Sequence, residues 1–180
     1  MTSSTPLVRS VLKSQYHAAL AMLREAVERC PAEVWTNTAH KNAFWQVAYH
    51  TLFYTHLYLQ RDRQSFRPWA QHQFTVQHED GITGEADPKS ALPLIPSAYT
   101  QTQVLEYWEF CDRMVDEAVD ALDLDSPQSG FPWHKMSKLE HQLVNIRHLQ
   151  HHAAQLADRL RAASDIGVRW ASAGHTAATA

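Results

Sequence analysis

The chain is 180 residues long, enough to bury one sizeable core, and no shift in composition divides it, so a single domain over residues 1–180 is expected. A net charge of −3, with acids and bases interspersed, leaves no basic stripe for phosphates, and neither nucleic acid nor membrane is expected as a partner. No run approaches the length of an apolar membrane span, the N-terminus lacks a secretion signal, and Cys30 and Cys111 stand alone; a cytoplasmic protein with reduced thiols is the expectation.

Thr5 followed by Pro6 reads as an N-cap with proline at the first helical position. Val8, Leu12, Ala19, Met22 and Ala26 then recur at three- and four-residue spacing, which predicts a first helix to about Cys30. Pro31 cannot continue it, and the polar segment to Asn42 reads as a short irregular connection. The second predicted helix, Ala43 to about Arg61, carries the run FWQVAYHTLFYTHLYL. Phe44, Trp45, Val47, Leu52, Phe53, Leu57 and Leu59 lie around nearly its whole circumference, the pattern of a helix buried on most sides, and His50 lies within it.

From about Gln64 to Tyr99 the prolines at 68, 88, 93 and 96, the Asp80-Gly81 pair and the loss of any period predict a long irregular crossover. Such a length lets the third helix run parallel to the second. Phe66, Trp69, Phe74, Ile82, Leu92, Leu94 and Ile95 give the crossover apolar anchors, with which it is expected to lie over or beside a histidine pocket; the alternative is that they only cover the side of the bundle. Thr100-x-x-Gln103 resembles a capping box and opens a third helix with Val104, Leu105, Trp108, Cys111, Val115, Ala118 and Leu122 at helical spacing, ending near Leu124. Ser137-x-x-Glu140 reads as a better box. It opens a fourth helix with Leu139, Leu143, Ile146, Leu149, Ala153, Leu156 and Leu160 on one stripe, stopping around Ser164 with Gly167 after the break. Residues Ala171 to Ala180 are small and polar without a pattern, and disorder is expected there. The fold class that follows is all-α, a four-helix bundle with its core over about residues 5–165.

Histidine is the compositional anomaly, with twelve beside only five glycines. His148 and His152 are four residues apart and so share one helix face about one turn apart, where two imidazoles can hold one ion. They fall, with His141, Asn145 and Gln155, on a stripe beside the apolar one, whereas His151 belongs with Arg147 and Asp158 to the solvent face. An HxxxH pair alone is equally the pattern of a solvated flank. A histidine in a helix as apolar as the second must find a partner, since leaving it unpaired costs a few kcal/mol. A tyrosine or a carbonyl would serve as well as a metal. Taken together, His50, His148 and His152 offer three convergent nitrogen donors. HExxH, ExxH, P-loop, dinucleotide and GxSxG patterns are all absent, so any chemistry runs through the histidines.

The segments AFWQVAYHTLFYTHLYL around His50 and NIRHLQHHAAQLADRLR around His148 and His152, in a four-helix order with a long crossover, resemble the DinB-like family of metal-binding helical bundles over roughly residues 5–165. The resemblance implies an up-down-down-up bundle, frequently a homodimer, with a divalent ion such as zinc or nickel on His50, His148 and His152. A glycine often stands two positions after the last histidine in that family; here the position is Ala154. Relatives of this kind include bacillithiol transferases, mycothiol-dependent maleylpyruvate isomerase and the helical domain of ergothioneine-forming enzymes. The implied function is a metal-dependent thiol transferase or isomerase, with a low-molecular-weight thiol and an electrophile as small-molecule partners. The alternatives are a non-catalytic metal-binding or stress-related interaction protein, in which the ion only fastens helices, and a metal-free bundle with satisfied histidines. No catalytic residue is assigned.

Overall fold

A computed structural model of the protein describes residues 5–73, 76 and 97–174. The helices among them are α1 (Thr5–Glu28), α2 (Ala32–Trp35), α3 (Phe44–Tyr58), α4 (Gln101–Ala121) and α5 (Lys138–Ser164), and the described residues contain no strand. The four long helices match the predicted ones, the first three ending a few residues earlier. The short α2 is additional: Val34 and Trp35 donate their N–H groups to the Pro31 carbonyl at 3.0 Å, and Trp35 buries its ring against Phe44.

Capping follows side-chain chemistry at the expected places. Thr100 and Gln103 form the reciprocal box, Gln103 N–H donating to the hydroxyl at 3.2 Å and Gln103 Oε1 accepting from Thr100 N–H at 2.9 Å. At α5 the Ser137 hydroxyl accepts from Glu140 N–H at 3.2 Å without a return bond from the Glu140 side chain, so the box expected to be the better of the two is the half-formed one. Helix α5 closes on Asp165 in the left-handed region (φ 53°), its N–H returning to Arg161 O at 3.1 Å, so the turn sits ahead of Gly167.

The contacts along each helix pair set the directions. On α1 and α4 they run in opposite order: Arg9 donates to the Val119 and Leu122 carbonyls, Lys13 pairs with Asp120 at 2.7 Å, and Trp108 Nε1–H donates to Leu20 O at 2.8 Å. On α1 and α5 they run together, from Tyr16 with Gln142 to Met22 with Gln150 and Arg29 with Gly167. Helices α3 and α5 are antiparallel, Tyr58 lying on His141 and His50 on His148, while α3 and α4 are parallel. The arrangement is up-down-down-up, with α1 diagonal to α3.

Helix α3 is buried on nearly all sides, as its composition predicts. Its polar residues are satisfied within the packing: Thr51 and Thr55 donate back to the carbonyls four residues earlier, and His56 Nδ1 lies 3.1 Å from Tyr107 Oη. Helix α5 turns differently from the predicted apolar stripe. Leu143 is 51% exposed, while His141, Gln142 and Asn145 are fully buried. Polar groups draw Gln142 and Asn145 inward: Tyr16 Oη donates to Gln142 Oε1 at 2.8 Å, and Asn145 Nδ2 donates to Tyr16 Oη at 2.9 Å and to Thr55 O at 3.2 Å. This polar strip is where α1, α3 and α5 meet.

Between α1 and α4, His17 places Nδ1 2.8 Å from Asp112 and Nε2 3.2 Å from Asp116. The hydrogen bond with Asp112 raises the His17 pKa above 6.5, outweighing burial, and Asp116 adds to it. A raised folded-state pKa means the stabilisation is fully present below the unfolded value and is lost as pH rises through the folded one. His17→Gln is therefore expected to destabilise the fold more below about pH 6 than above about pH 9, as urea midpoints at the two pH values will measure.

The crossover is described at 64–73, 76 and 97–99, and these residues cover the α3–α4 seam. Phe66 packs on Phe53 and His56, Trp69 stacks on Tyr107 at 4.7 Å, and His72 Nδ1 lies 2.5 Å from Tyr49 Oη. That seam is the opposite flank of α3 from the one facing α5. The anchors Phe74, Ile82, Leu92, Leu94 and Ile95 lie outside the described residues. Of the tail expected to be disordered, residues 171–174 pack on α1, Gly174 N–H donating to Ser14 O at 2.9 Å and Gln15 Nε2 to Ser172 O at 3.1 Å; residues 175–180 lie outside the described ones.

Candidate metal centre

Burial brings α3 and α5 together as antiparallel neighbours, and His50 on the one then faces the His148 and His152 pair on the other. His148 Nε2 lies 3.0 Å from His50 Nε2 and 3.1 Å from His152 Nε2. One ring nitrogen from each of the three residues lies within 4.8 Å of the others. Two nitrogens each about 2.0 Å from a tetrahedral ion stand about 3.3 Å apart, so small ring movements suffice for the three to share one. All three predicted site residues therefore converge.

The orientation of His152 suits ligation. His152 Nδ1 lies 2.9 Å from Gln155 Oε1, which accepts its proton and leaves Nε2 with the lone pair. His148 is pushed down to about 3 by burial, with the neighbouring His50 and His152 acting in the same direction, so it is neutral through the mildly acidic range. Its Nδ1 is buried with no protein hydrogen-bond partner. His152 is buried and His148 half-buried, and the ring of Tyr54 stands 4.8 Å from that of His50 and 5.6 Å from that of His148, walling the site along the α3–α5 seam. His151, Arg147 and Asp158 are exposed, as their helical phase predicts.

Sequence reasoning did not single out Tyr54 or the hydrogen-bonding role of Gln155. Tyr54 follows His50 by four residues and Gln155 follows His152 by three, so helical spacing held a signal for both. His134, on the α4–α5 connection, carried no such signal. Its Nδ1 lies 2.9 Å from Nε2 of the fully buried His141.

Fold and site together define an up-down-down-up helical bundle carrying a three-histidine group able to hold a metal ion. The family model of the DinB superfamily matches residues 15–156, most of the chain, and the chain belongs to that superfamily. Comparison with curated proteins and with solved structures finds no significant match. Among the described residues no helix is long and apolar enough to cross a membrane.

Proposed function

We propose that the protein binds one divalent transition-metal ion, zinc or nickel, through His50, His148 and His152, and acts as a thiol-dependent transferase or isomerase. The observation that carries this reading is that His148 Nε2 lies 3.0 Å from His50 Nε2 and 3.1 Å from His152 Nε2, with one nitrogen of each residue within 4.8 Å of the others. Three neutral protein ligands leave a coordination position open, where a bound ion supplies the Lewis acidity that ionises a thiol or water near neutral pH. The chain does the rest. Gln155 orients His152, burial keeps His148 neutral, and Tyr54 stands beside the rings of His50 and His148 along the α3–α5 seam. The small-molecule partners are a low-molecular-weight thiol and an electrophile.

A second reading, a non-catalytic site, draws on the ligands coming from two antiparallel helices, which an ion would fasten together. Elemental analysis of protein purified without a histidine tag, then cobalt(II) substitution and titration with cysteine or glutathione, separates the two. The enzyme reading expects about one ion per chain and a saturable sulfur-to-cobalt charge-transfer band. A bound ion that raises thermal stability without any thiol band would leave the fastening role alone. Protein that takes up no ion would sink both.

A further inference from the structure

The connection between α4 and α5, residues 122–137, is held in one shape by its own polar groups. Gly130 adopts φ 86°, in the left-handed region, and its carbonyl accepts from Arg63 N–H at 3.1 Å. The buried Lys138 ammonium donates to Arg61 O at 2.7 Å and to Ser129 O. The Ser129 hydroxyl oxygen lies 2.6 Å from the carbonyl of His134 and accepts from Phe131 N–H at 3.0 Å. This framework surrounds a bay of about 440 Å³ lined by Gln128, Gly130, Pro132, His134, Lys135 and Met136, among others, none of them acidic.

The tautomer of His134 follows from what stands behind it. Its Nδ1 is 2.9 Å from His141 Nε2, and His141 Nδ1 is buried without a partner. One of the two facing nitrogens carries the shared proton. Were it on His134, the neutral His141 would carry its own proton on Nδ1, an orphaned N–H in a dry interior. With the proton on His141 Nε2, the orphaned atom is only a lone pair, the cheaper of the two. Burial first, then the neighbouring His134 and the Lys138 ammonium, oppose a second proton on His141, whose pKa is pushed down to about 4. His134 is left as a neutral imidazole with Nδ1 occupied as acceptor and its remaining proton on Nε2, the edge turned away from His141. It is a donor, and the lining beside it supplies the cation of Lys135.

We propose that this bay binds the carboxylate of a small organic acid, with His134 Nε2–H as the hydrogen-bond donor and buried His141 as the residue that sets its tautomer. The inference requires no metal ion. Its place in the fold gives it a bearing on the histidine centre: Tyr58 touches the rings of His134, His141 and Tyr54, and Tyr54 in turn touches His50 and His148. Two tyrosine rings on one α3 face thus separate the bay from the three-histidine group.

Long-range proton–nitrogen correlation spectra of the full chain, with zinc supplied so that any bound ion is diamagnetic, read each histidine tautomer directly. The expected spectrum has the His134 proton on Nε2 in the free protein, and benzoate at millimolar concentration shifts that resonance saturably. His134→Phe should weaken benzoate binding about tenfold or more, with helical circular dichroism retained. A His134 proton on Nδ1, no saturable shift, or equal benzoate affinity in the variant would each overturn the proposal. Because the readout is at His134 and not at an ion, these outcomes are independent of whether the three-histidine centre binds metal.

Discussion

His152→Ala is expected to lower the affinity for zinc by more than about a hundredfold, while His151→Ala leaves it nearly unchanged. Loss of an outer hydrogen-bond partner of a metal ligand typically costs roughly ten- to a hundredfold, and removing the ligand itself must cost more. The two histidines are sequence neighbours with touching rings at 4.9 Å, but His152 is 5% exposed and places Nε2 3.1 Å from His148 Nε2, whereas His151 is exposed. Gln155→Ala, which removes the acceptor behind His152 Nδ1, should fall between them. Competition against a chromophoric chelator at fixed pH ranks the three variants. Equal losses at 151 and 152 would mean that the affinity arises from the general density of histidine on α5 and not from the centre described here.

Asn145→Ala is expected to destabilise the fold by about 2–4 kcal/mol and to weaken metal binding although Asn145 is no ligand. Its amide donates to Tyr16 Oη at 2.9 Å and Thr55 O at 3.2 Å, joining α5 to α1 and α3 in one fully buried position. Alanine leaves a cavity and removes two hydrogen bonds from a site that water cannot easily reach. Asn145 lies one turn before His148, so the same bonds hold the register at which His148 meets His50. Urea denaturation of the metal-free protein isolates the first effect, and the chelator competition the second. A variant with unchanged urea midpoint would show that the polar strip is decoration on an apolar core.

How far the fold could be read beforehand is clearest at individual residues. The helices and the His148–His152 pair were legible because both depend on local period, while the joining of His50 to that pair was implied by the resemblance to the DinB-like family. His148 and His152 are one turn apart on any helix, and the all-round apolar run about His50 can only be an interior helix. His151 was assignable to solvent for the same reason. Local period does not say which elements meet. The strip of His141, Gln142 and Asn145 is polar in sequence and wholly buried in the fold, where Tyr16 and the α3 carbonyls bring hydrogen-bond partners to Gln142 and Asn145 and the His134 ring brings one to His141. Leu143 is displaced to the surface by the same rotation of α5. The described part of the crossover gives apolar residues that would suit either flank of α3, and only the stacking of Trp69 on Tyr107 and of His72 on Tyr49 assigns them to the α4 side. His134 shows the limit most plainly. It is a loop histidine without period or motif, and what distinguishes it is a buried imidazole seven residues further on, made its partner by the return of the chain into α5. Sequence by itself determined the helices and the His148–His152 pair on one helix face; tertiary packing decided which face of α5 is buried, that His50 meets that pair and which polar groups are satisfied in the interior, since those depend on neighbours that only the folded chain supplies.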